Sequence, residues 1–461
     1  MSTQAAILFF NDACIQNNQR VTEFVKNSST AFSILLDVNE LIVVVKPKTE
    51  KQQTYEEVRM TAGAIARELS TRRVDKATIK VDGLKQEFPS LSPAGLVIAF
   101  VEGWQLGAYK FATYKSQETV FKTKLQVEGD HNVAQYIEAG QTRAAAMSYS
   151  RDLMNEVPNV LNPETFPTLL TEEFAETAVK VNVFNKDKLE ELEMNGVLTV
   201  GRGSKYQPSF VELVYQGDAS QPLVALVGKG VTFDTGGISL KSGRNISDMR
   251  MDMGGAAAVA GAVKLLAAIK AKVNVVALIP IVENMPDNTS VLPGEIIRYK
   301  NELTVQVGNT DAEGRLILAD GLIRAGEWNA NYVVDIATLT GAIGNALGLK
   351  MAGVFGDESL AFELMKIGRE NGDFVWPMPL VDAYESFLNS DYADICNISS
   401  KGEAGAITAG LFLRRFVPES CRWLHIDMAG VTEREENGYY TKAATGFGAR
   451  LLADFILHVS K

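Results

Sequence analysis

The sequence predicts an α/β protein of two domains: a smaller N-terminal α/β domain and a larger C-terminal domain with a mixed, mainly parallel central sheet flanked by helices. Two observations predict this class. Short β-branched runs alternate with amphipathic or small-residue segments along most of the chain, a pattern typical of parallel sheets covered by helices. The chain also has 461 residues, 46% of them hydrophobic, which suits two domains with a large core.

Residues 1–130 are predicted to form the N-terminal domain. Its strands are predicted at 34–36, 41–45 and 77–81, and its helices at 55–69 and 96–109. A polar, alanine-rich segment over 131–152 predicts a linker helix. Pro158 predicts that this helix has ended, because proline is disfavoured in a helix interior. The second domain would then span 153–461.

The second domain is predicted from a clearer alternation of elements. Strands are predicted at 223–227, 273–280, 304–307, 333–336 and 423–427, helices at 254–270, 316–328 and 447–458, and a loop at 229–237. Parallel sheets bind ligands at the carboxyl ends of their strands. Two polar clusters follow the strands that end at Val227 and Val307, so we expect a site where those strands end.

Charge and cysteine usage limit the partners and the compartment. Lys and Arg number 45 against 56 Asp and Glu, a net charge of -11, which disfavours nucleic acid and anionic membranes. Three cysteines without a CxxC motif indicate free thiols in a reducing compartment. No basic residue precedes the first apolar run, and lysines interrupt the apolar region 254–282. We therefore predict a soluble, cytoplasmic protein with no secretory signal and no membrane span.

The two polar clusters contain most of the chemistry that the sequence offers. Asp311, Glu313 and Arg315 lie in the octapeptide 309–316, and the upstream cluster supplies the remaining charged groups: Lys229, Asp234, Lys241 and Asp252. Burying four carboxylates is costly unless they are paired or bind a cation. A metal site is therefore predicted.

Simpler readings exist for each carboxylate taken alone. Thr310-x-x-Glu313 before an apolar run is a capping-box pattern. Asp234 could cap a strand-to-helix turn, and Asp252 could offset the dipole of the helix that follows it. None of these readings accounts for the lysines, because an unpaired ammonium group is disfavoured in an apolar interior.

Other kinds of site are poorly supported by the sequence. The motifs GxxxxGK[ST], HExxH and GxSxG are absent, which argues against a phosphate loop, a histidine-ligated zinc and a serine hydrolase. Of the three histidines, His131, His425 and His458, His425 is predicted to be a core residue. Carboxylates and lysine remain as ligands, and they suit two divalent ions bridged by carboxylates.

Three segments closely resemble the cytosolic leucine aminopeptidase family: 227–237, 249–256 and the octapeptide 309–316, which is that family's signature. Further matches occur at 337–342 and 444–448. The resemblance covers roughly residues 145–460 and is weak over the first 130. It implies that 153–461 is the catalytic domain of a metallopeptidase.

The resemblance also implies the ligands of two divalent ions, zinc or manganese. One ion would be held by Asp234, Asp311 and Glu313, and the other by Lys229, Asp234, Asp252 and Glu313. Asp234 and Glu313 would then bridge the ions, and a water between the ions would be the nucleophile. Two ions and four carboxylates give a cluster close to neutral, as burial requires.

Further roles follow from the same resemblance. Lys241 would polarise the scissile carbonyl, and Arg315 would hold a bicarbonate that acts as general base. The substrate pocket would be lined by Met249, Asn309, Thr338, Leu339 and Gly341. The family also implies a homohexamer. Gly308 departs from the family pattern, in which an aliphatic residue is common, but every ligand position is intact.

We therefore expect a metal-dependent aminopeptidase that releases N-terminal Leu or other apolar residues from peptides. Two alternatives stay open. The enzyme could act mainly as a dipeptidase, such as a cysteinylglycinase, or it could have an additional DNA-binding regulatory role. The net charge of -11 argues against the second alternative.

Overall fold

The computed structural model describes residues 3–37, 40–111, 114–116, 120–130, 132–243 and 245–461; His131 lies outside them. The chain divides into two compact units. The first comprises Met1–Ser148 with Glu370–Gly372 and Arg434–Ala443, and the second comprises the rest. The predicted fold class, with two domains and mainly parallel sheets flanked by helices, is confirmed.

The first unit is built on a five-stranded sheet of order β2-β3-β1-β4-β5. All neighbouring strands are parallel except β2 and β3. The strands are β1 Gln4–Phe9, β2 Phe32–Leu36, β3 Leu41–Val45, β4 Lys76–Lys80 and β5 Lys124–Glu128. The first six helices of the chain are α1 Ala13–Gln16, α2 Gln19–Asn27, α3 Tyr55–Thr71, α4 Val81–Glu87, α5 Pro93–Gly107 and α6 Val133–Asn155, with a 3-10 helix at Glu50–Gln52.

Local sequence explains where α5 begins and how closely it packs. The Ser92 hydroxyl accepts a hydrogen bond from the Gly95 amide, and Pro93 occupies the first turn, which is where proline is tolerated. A Cβ on Gly103 would lie 2.3 Å from the Arg59 carbonyl oxygen of α3. Glycine at this position therefore lets α3 and α5 pack together.

The second unit contains twelve strands and nine helices among the described residues. The strands are β6 Lys180–Phe184, β7 Ser209–Gln216, β8 Leu223–Gly228, β9 Gly230–Asp234, β10 Asn274–Asn284, β11 Ile296–Arg298, β12 Thr304–Gln306, β13 Tyr332–Ala337, β14 Ala352–Gly356, β15 Val375–Pro377, β16 Ile395–Cys396 and β17 Arg422–Asp427. The helices are α7 Thr165–Phe174, α8 Lys186–Glu191, α9 Asn195–Gly201, α10 Gly254–Ala268, α11 Glu313–Glu327, α12 Gly341–Leu347, α13 Glu358–Asn371, α14 Gly405–Arg414 and α15 Ala449–Val459, with 3-10 helices at Ser247–Met251 and Asp382–Leu388.

The main sheet of this unit has the order β15-β14-β17-β13-β8-β10-β7-β6, with β9 also paired to β10. Its centre, β17-β13-β8-β10, is parallel, whereas β7 and β6 join in antiparallel fashion at one edge. Every residue of β10 is buried, as expected of a strand covered on both faces. Helix α10 packs very closely, because a Cβ on Gly255 would lie 2.0 Å from the Ile336 carbonyl oxygen.

Three expectations from the sequence are wrong in detail. The segment 229–237 is not all loop, because it contains β9. The strand predicted at 304–307 is β12, which lies in a separate three-stranded sheet of order β11-β12-β16. Helix α11 begins at Glu313 rather than at Leu316, and Thr310 does not cap it, since the N-cap is Ala312 without a side-chain bond.

One described segment, Ser247–Ala268, is long and apolar enough to cross a membrane by length and composition. Of its apolar window, 83% is buried inside the protein. It comprises the 3-10 helix and α10, and buried core helices pass the same length and composition test. The segment therefore reads as a core helix.

Candidate metal centre

Three buried carboxylates converge where β9, α10 and α11 begin or end. Asp234 is the last residue of β9, Asp252 precedes α10, and Glu313 is the first residue of α11. Each offers an oxygen within 4.8 Å of the other two. The chain can turn sharply after Asp234 because Gly236 and Gly237 have φ of 89° and 63°, a region that favours glycine.

Lys229, which lies between β8 and β9, forms ion pairs with two of these carboxylates. Its Nζ lies 2.7 Å from Asp252 Oδ2 and 2.9 Å from Glu313 Oε1, and it donates a hydrogen bond to the Thr338 carbonyl oxygen at 2.9 Å. The Thr338 hydroxyl in turn donates to Asp252 Oδ1 at 2.6 Å. The Lys229 side chain is only 3% exposed, so its charge depends on these neighbours.

Lys241 connects the remaining pair of predicted ligands. Its Nζ lies 2.7 Å from Asp234 Oδ2 and also contacts Asp311 Oδ1. The Asp311 side chain is 30% exposed, whereas that of Lys241 is 8% exposed. The structure thus brings together all five predicted ligands and Lys241.

Burial and mutual repulsion disfavour the charged form of the carboxylates. Burial raises the pKa of Asp252 to about 8, although Lys229 opposes the shift. Burial also raises the pKa of Glu313, and repulsion from Asp234 adds to it. For Lys229 burial lowers the pKa, but the surrounding carboxylates outweigh it and the net shift is upward. With all four carboxylates ionised the cluster would have two more negative than positive charges at a buried position, and bound cations would neutralise that excess.

A further observation shows that the cluster fits divalent cations. Glu313 Oε2 is buried and has no hydrogen-bond partner among the described residues. Leaving a buried carboxylate oxygen without a partner costs free energy unless an unseen group satisfies it. A set of carboxylate oxygens with one lysine nitrogen suits hard or borderline divalent ions such as Mn²⁺ or Zn²⁺.

The cluster opens into a cavity of about 400 Å³. Four of the five residues predicted to line a substrate pocket are in its wall: Met249, Thr338, Leu339 and Gly341. Asn309 is not among the residues of this wall, and its side chain accepts a hydrogen bond from the Asp311 amide at 2.8 Å. The wall also includes residues that the sequence did not single out: Asp248, Met251, Thr340, Ala429 and Thr432. A Cβ on Gly341 would meet no atom of the described residues within 4 Å, so this part of the cavity is open.

Arg315 lies two residues beyond Glu313 on α11 but does not line the cavity. Its side chain donates from Nη1 to the Asn397 carbonyl oxygen at 2.7 Å and lies over the Phe412 ring. Burial lowers the pKa of Arg315 to about 10, so the guanidinium is still charged at neutral pH. Its Nε is buried without a hydrogen-bond partner in the described structure, so this N–H donor is available to an anion.

Two further residues that hold the site together were missed from the sequence. Asn284, the last residue of β10, donates from Nδ2 to Asp234 Oδ1 at 2.9 Å and to the Thr310 carbonyl oxygen at 3.0 Å. Asp427, the last residue of β17, accepts hydrogen bonds from the Leu339 amide and the Thr340 hydroxyl. Both end buried strands, so the rule that ligand sites form at the carboxyl ends of strands could have found them.

His425 is a buried core residue, as predicted. It is 0% exposed, its Nδ1 lies 2.5 Å from Asp335 Oδ1, and its ring stacks on Phe355. It lies outside the cavity wall, and its Nδ1 is paired with Asp335 rather than with a carboxylate of the cluster.

The structure also explains the unusual Gly308. A Cβ at this position would lie 2.7 Å from Cys396 Sγ and 2.8 Å from Ile398 Cγ2. Both distances are too short for a side chain without rearrangement. Cys396 and Ile398 therefore occupy the space that an aliphatic residue at position 308 would need.

Comparison with protein families identifies both parts of the chain. Residues 148–453 match the catalytic domain of the cytosol aminopeptidase family, and residues 42–118 match its N-terminal domain. The first match alone covers more than half of the chain. The family resemblance seen in the sequence motifs is thus confirmed, and it extends into the N-terminal part.

Individual relatives agree with this assignment. The chain is 39% identical to the "Probable cytosol aminopeptidase" of Chlorobaculum tepidum, over 88% of this chain and 84% of the relative. It is 34% identical to the protein of the same name from Persephonella marina, over 91% and 85%. Among solved structures, the bottromycin maturation enzyme BotP in complex with Mn superposes with a TM-score of 0.91, at 28% identity and full coverage of both chains.

Proposed function

The chain belongs to the cytosol aminopeptidase family of metal-dependent peptidases, and on this basis we propose that it releases N-terminal Leu or other apolar residues from peptides with two divalent ions. The observation that carries the proposal is the convergence of Asp234, Asp252 and Glu313, buried and within 4.8 Å of one another. When bound, the ions would activate a water and polarise the scissile carbonyl.

The proposed ligand sets are those implied by the sequence motifs. Asp234, Asp311 and Glu313 would hold one ion, and Lys229, Asp234, Asp252 and Glu313 the other. Support comes from the distances within the cluster, and from the position of Lys229 Nζ between Asp252 and Glu313. To act as a ligand Lys229 must lose its proton, and the charge of two adjacent cations favours that loss.

The cavity supports selection for an apolar N-terminal side chain. Met249, Met251, Leu339 and Ala429 contribute apolar groups to its wall, and apolar walls favour apolar side chains through burial. The carboxylates that would hold the ions lie in the same wall, so a free, neutral N-terminal amine would find a cation there to bind through its nitrogen lone pair. An acylated nitrogen lacks that lone pair.

The defining experiment is a substrate panel with metal-loaded and chelator-treated protein. We expect the metal-loaded protein to release Leu from Leu-anilide and from Leu-initiated peptides, and to release nothing from N-acetyl-Leu-anilide. Chelator should abolish the activity, and added Zn²⁺ or Mn²⁺ should restore it. Absence of N-terminal release with both metals would refute the proposed function.

The same panel separates the alternatives. A dipeptidase would hydrolyse Cys-Gly and other dipeptides much faster than tripeptides and longer peptides that share the same N-terminus. A longer peptide substrate belongs in the panel because the solved relative BotP is named as a maturation enzyme.

The DNA-binding alternative needs a separate test. A DNA-binding role would require a salt-dependent gel shift on duplex DNA. The net charge of -11 argues against such a role.

We propose that the protein acts in the cytoplasm as a homohexamer, with support from the family alone. Analytical ultracentrifugation should then give six times the chain mass of 50.2 kDa.

Arg315 is proposed to hold bicarbonate as the general base, because its buried Nε has no partner among the described residues. Replacing Arg315 by Ala should lower kcat by about ten- to a hundredfold, and added bicarbonate should partly restore it. Arg324→Ala is the matched control, since Arg324 is on the same helix but pairs with Glu212 and Glu327. A kcat of Arg315→Ala that does not respond to bicarbonate would argue against this role.

A further inference from the structure

Asn397 follows β16 directly, and its side-chain amide makes all of its hydrogen bonds to the segment before α11. Its Oδ1 accepts hydrogen bonds from the Gly308 amide at 2.7 Å and the Asn309 amide at 3.2 Å. Its Nδ2 donates to the Asn309 carbonyl oxygen at 2.8 Å and the Ala312 carbonyl oxygen at 3.3 Å. Two accepted and two donated bonds are the full capacity of a side-chain amide.

The backbone of Asn397 makes two further connections. Its amide donates to the Gln306 carbonyl oxygen of β12 at 2.9 Å, and its carbonyl oxygen accepts from Arg315 Nη1 at 2.7 Å. One fully buried residue thus contacts the strand before the octapeptide, the octapeptide backbone and the guanidinium on α11. Each of these contacts spans more than eighty positions of sequence.

The segment that Asn397 holds has little local structure of its own. Residues 307–312 lie between β12 and α11, and α11 begins without a side-chain cap at Ala312. Asp311 lies within this segment, and Glu313 is the first residue after the segment. Buried peptide groups that lack helix or sheet partners must be paired in another way. Here the Asn397 amide pairs peptide groups of Gly308, Asn309 and Ala312, and Asn284 and Ser239 pair those of Thr310.

We propose that Asn397 is a positioning residue, whose side-chain amide fixes the backbone of 308–312 so that Asp311 and Glu313 share one cation site. The inference rests on the proposed function, in which these two carboxylates are ligands. A displacement of this backbone would move Asp311 away from Lys241 and from the other carboxylates. Groups that orient ligands in this manner typically change metal affinity or activity by about ten- to a hundredfold when removed.

Two substitutions test the proposal. Asn397→Asp is nearly isosteric and keeps the acceptor for the Gly308 and Asn309 amides, but it loses both donated bonds and places carboxylate oxygen against carbonyl oxygen. Asn397→Ala removes all four side-chain bonds and keeps the backbone bond to Arg315. We expect both variants to lower kcat by about ten- to a hundredfold with little change in KM, and to lower Zn²⁺ and Mn²⁺ affinity by a similar factor.

Asn274→Ala is the matched control. Asn274 is also a buried asparagine, and its Nδ2 donates to the carbonyl oxygens of Asp218 and Gln221. Asn274 begins β10, whereas Asn284, which is at the site, ends it. Since a strand rises about 3.3 Å per residue, the two residues lie about 33 Å apart. We expect Asn274→Ala to lower the thermal midpoint but to leave kcat and metal affinity within about twofold of wild type.

Metal affinity is measured by competition with a chromogenic chelator, which needs no peptide substrate. A wild type that binds metal but releases no amino acid would refute the proposed function and still leave the affinity of the Asn397 variants informative. The positioning role is overturned if both Asn397 variants keep wild-type metal affinity. It is also overturned if Asn274→Ala weakens metal binding as much as they do.

Discussion

Replacing Glu313 by Gln is expected to lower kcat by roughly a thousandfold or more, because Glu313 is proposed to bridge both ions. The residue is 2% exposed, and its Oε2 has no other partner in the described structure. Glutamine keeps the shape but removes the negative charge, so the cluster would neutralise the cations less well. Steady-state hydrolysis of Leu-anilide at saturating metal measures the loss.

Stability measurements separate this effect from misfolding. Burial raises the pKa of Glu313 in the folded chain, so its ionised form is disfavoured by folding. A raised carboxyl pKa means that stability is lost as the pH rises through the range between the unfolded and folded values. Neutral glutamine does not titrate, so the metal-free Glu313→Gln protein should lose less stability than wild type as the pH rises through that range. Its thermal midpoint should also rise less on adding Zn²⁺.

Glu327→Gln is the matched control for Glu313→Gln. Glu327 ends the same helix and pairs with Lys300 and Arg324 near the surface, where ion pairs contribute little. Its replacement should leave kcat and the Zn²⁺-dependent rise in thermal midpoint unchanged. If Glu313→Gln kept more than a tenth of the wild-type kcat, the bridging role would be wrong.

The parts of the fold that the sequence predicts are those with a strong local signal. The all-buried strand β10 follows from its aliphatic run, and α3 and α10 follow from their length and composition. The proposed ligands stand out in the sequence for another reason: charged residues in an apolar context require partners. Lys229 is recognisable in this way, because its neighbours along the chain are almost all apolar or glycine.

The parts that the sequence does not predict depend on contacts between distant segments. β12 has three residues and pairs with the two-residue β16, so nothing local shows that it leaves the main sheet. Thr310 matches a capping box, yet its hydroxyl donates to Gly236 and accepts from Ser239, contacts that exist only after folding. Asn397 likewise has no local signal, because all its partners lie more than eighty residues away.

Replacing Lys241 by Met is expected to lower kcat by about a hundred- to a thousandfold, the usual effect of removing one group that stabilises an oxyanion. Burial lowers the pKa of Lys241, but Asp234 and Glu313 outweigh it and the net shift is upward. The ammonium is therefore charged at neutral pH and can stabilise negative charge on the substrate oxygen. Methionine retains the length and apolar stem of the side chain, so the packing changes little.

Metal analysis distinguishes the proposed roles of the two lysines. Lys241→Met should retain both ions and lose kcat, whereas Lys229→Met should lose one ion, because Lys229 is proposed as a nitrogen ligand beside Asp252 and Glu313. Lys264→Met is the control, since Lys264 lies on α10 and pairs with Glu173 of α7. A Lys241→Met protein that loses an ion, or keeps its kcat within tenfold, would contradict the oxyanion role. The first outcome would instead place Lys241 among the groups that hold the metal.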